Sequence, residues 1–139
     1  MRFVFLFVIL LLLNTASHSQ SIIPDWIETG VVSSTGDTSF FSLKYMTKVP
    51  GVLGDTLIKA WIKTKFKRFV GVNGTTYEDG EQKTLYWFNC ASGKMAITKD
   101  LRYSQAGELV DSKDYPLKWD EPVPETVGYG MYSLFCNKK

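Results

Sequence analysis

Apolar and polar residues alternate along much of this chain with a period of two. Over 56–66, Ile58, Ala60, Ile62 and Phe66 fall on one side. Lys59, Trp61, Lys63 and Lys65 fall on the other, and Lys67 continues that row. Successive strand side chains point to opposite faces, so the pattern predicts a long strand with an apolar core side and a basic outer side. Shorter strands are expected at 25–32, 39–46, 84–89, 95–103 and 109–112. The stretch 84–89 holds Leu85, Tyr86, Trp87 and Phe88 without Gly or Pro, a composition suited to the middle of a sheet. Turns are expected at 49–55, at 91–94 and at Gln105-Ala106-Gly107. A polar connection with an Asn73-Gly74 turn signal is expected over 71–80. Connections this short join antiparallel neighbours, because parallel pairs need long crossovers.

The rhythm changes near the C-terminus. Pro122 and Pro124 end any strand. Thr126 then offers a capping hydroxyl, with Glu125 beside it. Over 127–136, Val127, Met131, Leu134 and Phe135 recur at helical spacing. Gly128 and Gly130 each weaken that helix by about 1 kcal/mol, so it must be docked to persist. The fold class is therefore α+β and mainly β: an antiparallel sheet of about six strands followed by a C-terminal helix.

Residues 1–19 stand apart as a signal peptide. Met1 and Arg2 precede an unbroken apolar run over 3–13, shorter than the roughly 20 residues of a membrane-spanning helix. Ser17 and Ser19 supply small residues at −3 and −1, which places cleavage after Ser19. The short run and these small residues weigh against an uncleaved anchor. The expected mature chain, 20–139, is one domain of 120 residues with no stable membrane span. It is exported to the periplasm, the cell surface or the medium. Removing Arg2 takes sixteen basic residues to fifteen against fourteen acidic ones, a net of +1, which excludes a nucleic-acid-like field. Two cysteines in an exported chain, Cys90 and Cys136, are expected to form one disulfide that ties the helix to the aromatic strand.

Candidate chemistry is sparse. The single histidine, His18, leaves with the leader, so Ser-His-Asp or Cys-His machinery and the usual zinc sites lack their parts. Adjacent acids such as Asp120-Glu121 and Glu78-Asp79 would point opposite ways on extended backbone and do not read as an acid–base pair. No enzyme activity, metal or cofactor is expected. The local feature with recognition character is the stripe Lys59, Trp61, Lys63, Lys65 and Lys67, extended by Arg68. Its plainer reading is a solvated face whose lysines discourage edge-to-edge pairing. Its functional reading is a surface for an anionic partner, either an acidic protein segment or a sulfated glycan. One helix covers only one face of a six-stranded sheet, and the uncovered face leaves room for a homodimer.

The order of landmarks resembles the bacterial surface-adhesin E family. The residues that carry the likeness are Trp26, the aromatic strand around Tyr45, and the strand Ile58-Lys59-Ala60-Trp61-Ile62-Lys63. Cys90, the Tyr103…Gly107 turn, Trp119, the helix start Pro124-Glu125-Thr126 and Cys136 complete the series. The resemblance implies a six-stranded antiparallel sheet with a C-terminal helix pinned by a disulfide. It also implies attachment to extracellular-matrix glycoproteins of a host, with an envelope structural or assembly module as the alternative role. The family's namesake is lipid-anchored, and this chain carries no lipid-attachment cysteine. Asn89 stands before Cys90, where an acid is common.

Overall fold

The computed structural model describes residues 25–33 and 36–136. The expected leader and its cleavage after Ser19 lie outside the described residues. Six strands form a single antiparallel sheet in sequence order: β1 (Ile27–Val32), β2 (Thr38–Pro50), β3 (Thr56–Val70), β4 (Thr76–Asn89), β5 (Lys94–Tyr103) and β6 (Leu109–Asp114). A helix, α1 (Val127–Cys136), follows. The meander follows from the turn chemistry, since each short loop returns the chain beside the strand it has just left. Among the described residues no helix is long and apolar enough to cross a membrane.

Several strands run further than their patterning implied. β2 continues to Pro50, which pairs with Thr56, so the turn is confined to 51–55. β3 runs on to Val70 and β4 begins at Thr76, inside the polar stretch, leaving a tight turn at 71–75 closed by Gly71 N–H donating to the Thr75 carbonyl at 2.8 Å. The polar run is tolerated as strand because residues 66–80 protrude past the neighbours. β2 pairs with β3 only as far as Lys65, and β5 pairs with β4 only as far as Glu81. Gly80, inside β4, lets the Phe69 ring lie against the backbone, where a Cβ would overlap it.

The core sits under the helix. Ala60 and Ile62 of β3, Tyr86 and Phe88 of β4, Met95 of β5 and Met131 of α1 form its buried centre. Phe135 meets Phe41 edge-on at 5.5 Å and Phe88 at 5.2 Å. The two helix glycines have packing roles. Met95 lies where a Cβ of Gly128 would go, and Val31 where one of Gly130 would go. They lower helix propensity but let α1 approach the sheet closely. Thr126 caps the helix by accepting from Tyr129 N–H at 3.2 Å. Cys90, just past β4, is bonded to Cys136, the last residue of α1. Asn89 holds the intervening turn: its Oδ1 accepts from Ala91 N–H and Ser92 N–H, and its Nδ2 donates to Asp55. An acid at 89 would lose that donor and face the Asp55 carboxylate, which accounts for an amide at this position.

Candidate functional site

Among the described residues, the helix covers one face of the sheet and leaves the opposite face open. Pairing registers place Phe40 of β2, Lys63 of β3, Lys83 of β4 and Leu101 of β5 in one row across it. The next row is Thr38, Lys65, Glu81 and Tyr103. Trp61 pairs with Leu85, and Lys59 with Trp87. The expected alternation is therefore realised for Lys59, Trp61, Lys63 and Lys65. The edge-guarding reading of these lysines does not survive, because β3 is interior and paired along both sides.

The ammonium groups lie over aromatic rings. Lys63 Nζ is 4.7 Å from the centre of the Trp26 ring and 5.2 Å from that of Phe40. Lys65 is 5.5 Å from Phe40, Lys59 is 5.1 Å from Trp87, and Lys83 is 4.4 Å from Tyr103. Each such contact contributes about 0.5–1 kcal/mol at an exposed site and fixes where the charge sits. Trp26 reaches this face because its neighbour Ile27 pairs with Phe41 on the core side. Tyr45 stands 6.1 Å from Trp26, on an irregular segment where β2 carries extra residues between Phe41 and Met46. Between these groups lies a cavity of about 250 Å³ lined by Trp26, Tyr45, Trp61, Lys83 and Leu101.

The electrostatics are unbalanced. Lys63 and Lys83 are direct cross-strand partners of like sign. Burial lowers the Lys63 pKa below its ordinary value, nearby Lys65 and Lys83 lower it further, and Glu81 opposes them. Glu81 also meets Lys83 Nζ at 3.1 Å, so this one carboxylate serves both Lys83 and Lys63, with Lys65 as its cross-strand partner.

Lys67 and Arg68 lie beyond this lattice, on the protruding 66–80 ribbon. Lys67 lines a cleft of about 530 Å³ at the end of the sheet, and Arg68 pairs with Glu78 at 3.6 Å, both largely exposed. The stripe is thus brought together over 59–65 and parts beyond it. Sequence patterning did not place Phe40, Lys83, Trp87 or Tyr103 with the stripe, because cross-strand register decides which residues join it. Trp26 and Tyr45 were visible only as family landmarks.

A second cavity, of about 620 Å³, opens on the helix side between β5, the 115–126 segment and the start of α1. Asp100 borders it with both oxygens engaged. Oδ1 accepts from Thr84 at 2.6 Å and from Gln82 at 2.9 Å, and Oδ2 accepts from Tyr115 at 3.2 Å. Of these bonds, that of Tyr115 ties the segment to the sheet.

No curated protein and no solved structure matches the chain significantly. A family model described as Surface-adhesin protein E matches residues 26–137, the whole of the span that the sheet and helix occupy. The chain, with its six-stranded antiparallel sheet, C-terminal helix and Cys90–Cys136 bond, belongs to the surface-adhesin protein E family.

Proposed function

We propose that this protein is an exported, non-enzymatic binding domain that attaches to extracellular-matrix glycoproteins through the open face of its sheet. The observation that carries this reading is the direct opposition of Lys63 and Lys83 among aromatic rings on a face that none of the described elements covers. Like charges directly opposed across strands are destabilising, so an anionic partner that neutralises them gains affinity from a cost already present in the free protein. Lys59, Trp61, Lys63 and Lys65 form the centre of the contact, and Lys67 and Arg68 extend it along the ribbon. The family, whose name denotes surface adhesion, supports the class of activity. A leader over 1–19, removed after Ser19, delivers the domain out of the cell. The lone histidine belongs to that leader and both cysteines are bonded, which leaves no parts for the common nucleophile–base pairs.

The test is binding of the mature protein to immobilised matrix glycoproteins, beside protease shaving of intact cells. Binding is expected to weaken with salt. Lys63→Glu/Lys65→Glu is expected to slow association more than it speeds dissociation, as steering charges do. Trp61→Ala is expected to raise the off-rate instead. Full binding by the double charge reversal at low salt, or a protein that shaving leaves untouched, would overturn the reading and favour an envelope module.

A further inference from the structure

We propose that the aromatic cavity on the open face is a sugar site, taking one carboxylated pyranose residue of an acidic glycan with its carboxylate between Lys63 and Lys83. This inference rests on the adhesive reading above and deepens it by naming the moiety recognised. The cavity, about 250 Å³, falls below the ~300–1,000 Å³ of drug-sized sites and suits a single ring. Its walls are Trp26, Tyr45 and Trp61, with Leu101 and Lys83 completing it. Trp26 and Tyr45 are inclined at 42° and leave a wedge between them rather than stacking shut.

A pyranose ring presents a C–H face that packs on an indole and a rim of hydroxyls that needs hydrogen-bonding partners. Trp87 spends its indole N–H on Thr98 Oγ1 at 3.1 Å. Trp26 and Trp61 make no such bond among the described residues, so both N–H groups remain for ligand hydroxyls. The charge requirement comes from the lysines. Lys63 and Lys83 oppose each other, Lys65 follows on the same strand, Glu81 sits among them and is bonded to Lys83, and Glu28 of β1 ends the same row beside Phe40. A carboxylate entering between Lys63 and Lys83 relieves that repulsion and forms charge-assisted hydrogen bonds. An acidic peptide would satisfy the lysines but has no flat C–H face for the three rings. A neutral sugar would use the rings and leave the lysines opposed. The carboxylated sugar uses both.

The experiment titrates the mature protein, followed by tryptophan fluorescence and saturation-transfer NMR, with three probes. These are a tetrasaccharide of alternating glucuronate and N-acetylglucosamine, its carboxyl methyl ester, and a polyglutamate of equal charge. The tetrasaccharide is expected to bind with transfer to its ring protons, and the ester at least tenfold more weakly. Polyglutamate is expected to bind without quenching the tryptophans. Trp61→Ala should weaken tetrasaccharide binding at least tenfold, and Trp61→Phe, which keeps a ring and guards against misfolding, should retain part of it. Equal affinity for polyglutamate and tetrasaccharide, or an unchanged Trp61→Ala, would overturn the proposal. Matrix glycoproteins stripped of glycans separate the two claims. Binding that survives stripping overturns the sugar site and leaves adhesion standing. Tetrasaccharide binding without attachment to intact glycoprotein supports the sugar site and overturns the matrix partner.

Discussion

Lys63 of β3 and Lys83 of β4 stand directly opposite each other on the open face of the sheet, each with its ammonium over an aromatic ring. Like charges directly opposed across strands are destabilising. Each cation–π contact offsets this by about 0.5–1 kcal/mol. The pair is therefore held by its aromatic neighbours and by Glu81, which meets Lys83 Nζ at 3.1 Å.

The pair is expected to show unfavourable coupling in the absence of ligand. A double-mutant cycle of Lys63→Met and Lys83→Met, read by urea unfolding, isolates that term, because Met keeps an apolar stem over the rings. The coupling should be repulsive at low salt and fade as the Debye length falls from about 10 Å at 0.1 M to about 3 Å at 1 M. A favourable or salt-independent coupling would show that the two charges do not oppose each other.

The bond between Cys90 and Cys136 closes a loop of sequence separation 46 and holds the last residue of α1. Chain-entropy arithmetic for such a loop gives about 4 kcal/mol, an upper figure. Cys136→Ser is expected to lower stability by about 2–4 kcal/mol and to release α1 before the sheet. Hydrogen exchange should show helix amides losing protection while amides of β3 and β4 keep theirs. Uniform loss across sheet and helix would mean that the helix and sheet open as one unit.

Most of the architecture was legible in the sequence because the period-two pattern, turn residues and capping threonine agreed with one another. α1 was readable to its bounds, since Pro124, Thr126 and the spacing of Val127, Met131 and Leu134 all mark it. Strand ends were less legible. Residues 67–70 and 76–80 lie on a ribbon that projects beyond the core, and the polarity of 76–80 resembles that of a loop while its backbone pairs as strand. The lysine stripe was legible on β3 alone. Which groups from β1, β2, β4 and β5 join it depends on register and on the irregular segment in β2, and single-strand alternation carries neither.

The glycines of α1 invert a common expectation. Gly→Ala in a helix interior ordinarily stabilises by about 1 kcal/mol. Here a Cβ at Gly130 would fall 2.7 Å from Val31 Cγ1 and 2.9 Å from its Cγ2, on a β-branched side chain with little freedom. A Cβ at Gly128 would fall 2.8 Å from the terminal methyl of Met95, which can swing aside. Gly130→Ala is therefore expected to destabilise by about 1–3 kcal/mol, and Gly128→Ala to be close to neutral. Thermal unfolding of both variants checks the order, and a stabilised Gly130→Ala would contradict the close docking of α1 against β1.

Tyr86 provides the clearest dependence on pH. Its ring stacks on Phe88 at 5.7 Å inside the core. Burial, followed by the charge of Asp100, pushes the phenol from 10.0 up to about 12. Above pH 10 the unfolded chain loses this proton while the folded chain keeps it. The folded state then binds more protons than the unfolded one, and stability falls as pH rises through the window from 10 to about 12. The slope from this residue approaches about 1.4 kcal/mol per pH unit within that window and vanishes below it. The informative quantity is the difference between the native protein and Tyr86→Phe, in which the contributions of all other groups cancel. Tyr86 makes no side-chain hydrogen bond among the described residues, so Tyr86→Phe should cost little at neutral pH and should flatten the alkaline loss. Urea unfolding at about pH 9, 10 and 11 reads that difference. Parallel curves for the two proteins across this range would mean that the phenol titrates as freely in the fold as in the unfolded chain.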